Sequence, residues 1–132
     1  MSTPTLTSLM LSSTDPQRLH DWYTTALPPQ TDDKQDQYRI LGYGGFHLFL
    51  DSRDDVAAQT AEPGRVVLNF EVDDARAVAA RIDDLATPWL APLEDRDGSL
   101  FATAIDPDGN YVQIIQLSEA HRAEISPGGG KE

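Results

Sequence analysis

Asp106-Pro107-Asp108-Gly109-Asn110-Tyr111-Val112-Gln113-Ile114-Ile115-Gln116 is the stretch whose reading decides the fold. Its first five residues concentrate the strongest turn formers: Pro107 presets φ, Gly109 and Asn110 tolerate positive φ, and the Asp side chains can bond their own backbone. The remainder alternates, with Val112 and Ile114 on one face of a strand and Tyr111, Gln113 and Ile115 on the other. A tight turn feeding a half-buried strand is therefore expected here.

Upstream, the same grammar occurs twice. Leu6 to Ser12 alternates as a strand, and Asp15-Pro16 then opens a helix, Asp15 as N-cap and Pro16 at the first helical position. Leu19, Trp22 or Tyr23, and Ala26 give that helix one apolar face, and Leu27-Pro28-Pro29 ends it. Residues 30–37 are polar and read as a loop with room for a short edge strand. Tyr38 to Leu41 and Phe46 to Leu50 are strands, the second with Phe46, Leu48 and Leu50 on one face and His47 and Phe49 on the other. Residues 52–64 form an exposed connector. In the second half Val66 to Val72 is a strand, Asp73-Asp74 caps a helix through Leu85 with the stripe Val78, Ile82, Leu85, and strands follow at Thr87 to Leu93, Ser99 to Ile105 and Tyr111 to Gln116. Ser8 lies seven residues before the first cap, and Val67 seven before the second. The pattern reads as an internal repeat of strand, helix and further strands. Residues 118–132, ending Pro-Gly-Gly-Gly-Lys-Glu, have little to bury and are expected to be a flexible tail.

Composition bounds the function. At 132 residues the chain is long enough for one domain that buries roughly two-thirds of its unfolded surface. No apolar run is long enough for a membrane span, and with no leader the cytoplasm is the default. The absence of cysteine excludes disulfides and thiolate chemistry. A net charge of −12, from 22 acids against 10 bases, argues against nucleic acid and would draw a cationic ligand at long range.

Leu9-Met10-Leu11 followed by Asp15, Trp22-Tyr23, Asn69-Phe70-Glu71-Val72-Asp73-Asp74 and the Asp106–Asn110 turn together resemble the vicinal oxygen chelate superfamily, which includes glyoxalase I, extradiol dioxygenases, fosfomycin-resistance and bleomycin-resistance proteins. The resemblance implies an α+β fold: two βαβββ modules forming a cup-shaped mixed sheet, with the helices outside and the ligand in the cup. On this basis residues 1–117 are one glyoxalase/bleomycin-resistance-like domain, with module one at 5–51 and module two at 65–117. Metal-dependent members place His and Glu ligands on the first and last strand of each module. The corresponding positions are Ser8 and Val67 on the first strands, Gln113 on the last strand, and His47 by aligning Phe46-His47-Leu48 with Val112-Gln113-Ile114. Valine cannot ligate, serine and a neutral amide are poor donors, and one imidazole does not hold a divalent ion against water. No metal and no cofactor are therefore expected.

The cup-facing positions expected to bind a small organic ligand are Ser8, Met10, His47, Phe49, Val67, Asn69, Trp89, Phe101, Tyr111 and Gln113. The aromatic members among them would stack on a planar group, and Trp22 and Phe70 are assigned to the helix–sheet core. His47 is the candidate catalytic residue, as a hydrogen-bonding group or general base. His20 is expected on the solvated helix surface and His121 in the tail. The expected function is metal-free sequestration of an antibiotic or other organic molecule, in the manner of bleomycin-resistance proteins, by a cytoplasmic homodimer. The alternative is an enzyme of the lyase, isomerase or dioxygenase class using His47 with Asn69 or Gln113, with or without a divalent metal. A plainer third reading is an interaction module whose cup has collapsed.

Overall fold

The computed structural model describes residues 2–125. The chain divides between Ala61 and Glu62, inside the expected connector, into two units.

The first unit runs β1 (Ser8–Ser13), α1 (Pro16–Ala26), β2 (Thr31–Gln35), β3 (Tyr38–Tyr43) and β4 (Phe46–Ser52). Its sheet has the order β1-β4-β3-β2, with β1 parallel to β4 and the other pairs antiparallel. Asp15 caps α1 as expected, its Oδ1 accepting from the Arg18 amide at 3.2 Å, while the Asp15 amide donates to Ser13 Oγ at 2.9 Å. Helix α1 lies against β4 and β1. Leu19, Trp22, Tyr23 and Ala26 meet Leu41, Leu48 and Leu50 in an apolar core, and the Trp22 and Tyr23 rings stand edge to face at 4.8 Å. The polar stretch after the helix does form a strand. β2 is exposed throughout and sits at the sheet edge, where its charges discourage pairing with another chain.

His20 is not on a solvated surface. Only 8% of it is exposed, because β2 and β3 reach over that flank of α1. Its Nε2 lies 2.8 Å from Asp32 Oδ2 and 2.7 Å from Arg39 Nη2, and Arg39 also donates to Gln17 Oε1 at 3.3 Å. Asp32, in the stretch read as a polar loop, is therefore a partner in a half-buried polar cluster. Nearby, Tyr43 donates its phenol to the Leu27 carbonyl at 2.8 Å. Burial, with the Asp32 charge adding, pushes that phenol well above its ordinary range.

The second unit repeats the order: β5 (Val67–Glu71), α2 (Ala75–Asp84), β6 (Trp89–Arg96), β7 (Ser99–Ile105) and β8 (Tyr111–Gln116), with sheet order β5-β8-β7-β6 and β5 parallel to β8. Asp74 caps α2 by accepting from the Ala77 amide at 3.1 Å, and Gln116 Oε1 takes the Ala75 amide at 2.8 Å. Ala75, Val78 and Ile82 pack on Leu100, Ala102, Ala104, Val112 and Ile114. The turn into β8 is built around buried Asp106. Its Oδ1 accepts from the amides of Asp108 and Asn110, each at 2.9 Å, and its Oδ2 accepts from Asn110 Nδ2 at 2.9 Å. Gly109 takes positive φ, at 90°.

The expected tail begins with structure. Glu119–Ile125 forms α3, tied back to the sheet by two side-chain contacts. His121 Nδ1 meets the buried Ser99 Oγ, and Arg122 pairs with Glu71 at 3.2 Å. Residues 126–132 of that expected tail lie outside the described residues. Among the described residues no helix is long and apolar enough to cross a membrane.

Candidate functional site

Each sheet uses one face to cover its helix, and side-chain alternation leaves the other open. Register then sorts the open-face residues into rows running across the strands.

In the first unit one row is Ser8–His47–Gly42–Thr31, and the next is Met10–Phe49–Ile40–Asp33. The first row is polar. The second is apolar over three of its four positions, and the Tyr38 ring stands edge-on to Phe49 at 6.2 Å. Among the described residues, the side chains of Ser8, His47 and Thr31 have no hydrogen-bond partner. Ser8 and His47 are half-buried and Met10 of the second row is 48% exposed, so this face of the sheet points away from the helix core.

In the second unit the rows are Val67–Tyr111–Ile105, then Asn69–Gln113–Thr103–Ala91, then Glu71–Ile115–Phe101–Glu94. The middle row carries two carboxamides and a hydroxyl, again with no hydrogen-bond partner among the described residues. Tyr111 flanks it on one side and Phe101 on the other. The Arg96 guanidinium lies over the Phe101 ring at 5.2 Å and bonds Glu94 at 2.8 Å, and that hydrogen bond holds the Glu94 carboxyl below its usual range. Both contacts of α3 fall on open-face positions, Ser99 and Glu71, so this short helix borders one end of the face.

Nine of the ten expected ligand-binding residues therefore stand on open faces: Ser8, Met10, His47 and Phe49 on the first sheet, and Val67, Asn69, Phe101, Tyr111 and Gln113 on the second. Trp89 does not. It pairs with Ala104 on the helix side, and its indole donates to Asp83 Oδ1 of α2 at 2.7 Å. β6 shifts register between Trp89 and Ala91 and again between Ala91 and Glu94, and such irregularities re-aim side chains in a way that plain alternation does not anticipate.

The module alignment also needs correction. Ser8 pairs with His47, but Val67 pairs with Tyr111, and Gln113 pairs with Asn69. The true counterpart of His47 is thus Tyr111, and that of Gln113 is Phe49. Alternation fixes which face a residue takes, but a slip of two residues preserves the face and is invisible to it. Neither register supplies a metal site. The first-strand and last-strand pairs are Ser8 with His47, Met10 with Phe49, Val67 with Tyr111 and Asn69 with Gln113, which together offer one imidazole and no carboxylate. Among the described residues no three His, Cys, Asp or Glu side chains are grouped to hold a metal ion. The donor set does not fit the metal that much of the superfamily uses.

Thr31, Gly42 and Ile40 of the first face and Thr103 of the second were missed from sequence. Thr103 shares its phase with Phe101 and was within reach of the alternation rule. Thr31 lies in a run with no apolar period to place it.

The fold and its open faces define a paired-βαβββ protein of the α+β class. The glyoxalase-like domain model matches residues 8–115, and the chain belongs to that family within the vicinal oxygen chelate superfamily. No curated protein matches the chain. Among solved structures it is similar to the fosfomycin resistance protein FosX from Mesorhizobium loti, with a TM-score of 0.72 and 14% identity, covering 92% of this chain and 98% of that one. It is also similar to lactoylglutathione lyase from Agrobacterium tumefaciens, with a TM-score of 0.65 and 19% identity over 87% and 95% of the two chains. A third is TioX from Micromonospora sp. ML1, with a TM-score of 0.62 and 18% identity over 86% and 98%. At these identities the likeness establishes the fold.

Proposed function

We propose that this protein binds a small organic molecule on its open sheet faces without a metal, and sequesters rather than transforms it. The carrying observation is the pair of polar rows, Ser8–His47–Thr31 and Asn69–Gln113–Thr103, whose side chains are satisfied by no protein group among the described residues. A sheet that only needed solubility would present charges to water. These rows instead combine neutral donors and acceptors with neighbouring apolar or aromatic rows, which is the lining a ligand site requires. One similar structure, named for fosfomycin resistance, lends an antibiotic as one candidate ligand, and family resemblance supports a homodimer. Native mass spectrometry of the protein isolated from cells, paired with calorimetric titration of Zn, Ni, Mn and Fe, tests the reading. A small organic adduct with no stoichiometric metal uptake supports it; tight binding of one such ion per chain overturns it.

One observation favours a catalytic reading. Among the described residues the His47 imidazole has no hydrogen-bond partner, and Ser8 stands opposite it on the neighbouring strand, so it is placed to move a proton on a bound ligand. On that reading His47→Ala abolishes turnover while binding, though weakened, is still measurable. If no bound molecule is converted by the wild type, the binding function stands alone.

A further inference from the structure

Gly42 is buried, and its backbone lies outside the left-handed region that would call for glycine. Its reason is space. A Cβ built there would overlap Thr31 Oγ1, while lying 3.5 Å from Thr31 Cβ and 3.7 Å from His47 Cδ2. The hydroxyl of Thr31 thus occupies the place where residue 42 would carry a side chain, in the row that continues to His47 on the next strand. An exposed edge-strand threonine has no conformational need to fold inward, and no hydrogen bond among the described residues draws it there.

We propose that Thr31 is a ligand-binding residue and Gly42 the gap that admits it, so that His47 and Thr31 grip one polar group of the ligand from two sides. Resting on the binding function proposed above, this assigns a chemical class to the first-unit site. Ser8, His47 and Thr31 each donate and accept hydrogen bonds, and their row carries no carboxylate, ammonium or guanidinium. They suit a neutral oxygen group, a hydroxyl or a carbonyl. The adjacent Met10–Phe49–Ile40 row lies about 7 Å further along the strands and takes an apolar body attached to that group. The ligand class is a neutral alcohol or ketone with an apolar body, seated on the inner strands of the face, away from the exposed Asp33 that ends the apolar row.

The test uses a panel of fluorinated monocyclic alcohols, ketones, carboxylates and amines, with binding followed by ¹⁹F NMR and located by the ¹³C-labelled methyl of Met10. The chain has only two methionines, and Met10 stands in the apolar row, so its signal reports this face. Alcohols or ketones are expected to bind and move the Met10 signal. Thr31→Val keeps the branched shape and loses the hydroxyl, and is expected to weaken binding about five- to tenfold. Gly42→Ala, which expels the hydroxyl without removing it, is expected to do the same, and Thr31→Ser to bind as wild type. If probes bind the wild type equally well in Thr31→Val and Gly42→Ala, or only charged probes bind, this proposal falls while the binding function stands. If no probe of any class binds on either sheet, the binding function fails first.

Discussion

Replacing Asp106 by alanine removes the centre of the turn that decides the fold. The carboxylate is 3% exposed and accepts the backbone amides of Asp108 and Asn110 together with the Asn110 side-chain amide. Alanine strands both backbone donors in a place where a new acceptor is hard to reach, at about 1–3 kcal/mol each, whereas Asn110 Nδ2 can rotate to water. The expected loss is about 3–5 kcal/mol, a large part of a typical domain's 5–15 kcal/mol. At this chain length that corresponds to roughly 10–15 °C in Tm. Asp106→Asn keeps one acceptor oxygen and should lose about half as much. Denaturant and thermal unfolding followed by circular dichroism give the number, and amide exchange along β8 shows where it is felt. A loss under about 1 kcal/mol for Asp106→Ala, or an equal loss for Asn110→Ala, would refute the assignment of Asp106 as the organising acceptor.

Three further outcomes follow from the same structure. His20→Ala takes a shared partner from half-buried Arg39 and from Asp32 and should cost about 2 kcal/mol by chemical denaturation; a neutral effect would return His20 to the solvated surface. Ser99→Ala removes the group that accepts the Ser118 amide at 2.8 Å and contacts His121, so amides of α3 should exchange faster while β7 and β8 are unchanged. The Tyr43 phenol is held above its ordinary value by burial and then by Asp32, so its stabilising contribution is complete below that value and is lost as pH rises through the raised one. In absorbance at 295 nm the Tyr43 phenol should ionise late, with partial loosening of the fold, and Tyr43→Phe should remove that late component.

What the sequence disclosed and what it withheld separate along physical lines. Helix caps at Asp15 and Asp74, the Asp106 turn and the alternating strands are local signals, and apart from β6, expected at Thr87 to Leu93 and found at Trp89–Arg96, each appears near where its residues place it. Register is not local. The pairing of His47 with Ser8, and of Tyr111 rather than Gln113 with Val67, depends on hydrogen bonds between strands far apart in sequence, and a two-residue slip leaves every face assignment intact. His20 was misjudged because the covering strand, β2, has no apolar pattern to announce it. Trp89 was misjudged because the bulges of β6 break the alternation around it. Helix α3 is too short to show a period and owes its place to Ser99 and Glu71. The candidate site was therefore legible as a set of faces and illegible as a set of rows, which is why Thr31 and Gly42 emerge only from the structure.

The proposed ligand site is the pair of polar rows whose side chains have no protein partner among the described residues. The direct measurement is chemical-shift mapping of the uniformly labelled protein against a library of neutral organic fragments. Binding should move resonances of Ser8, His47 and Phe49 on the first sheet, or of Asn69, Thr103 and Gln113 on the second, and leave the helix-side residues Leu19, Trp22, Val78 and Trp89 in place. Fragments that shift the helix-side residues while leaving both rows untouched would contradict it.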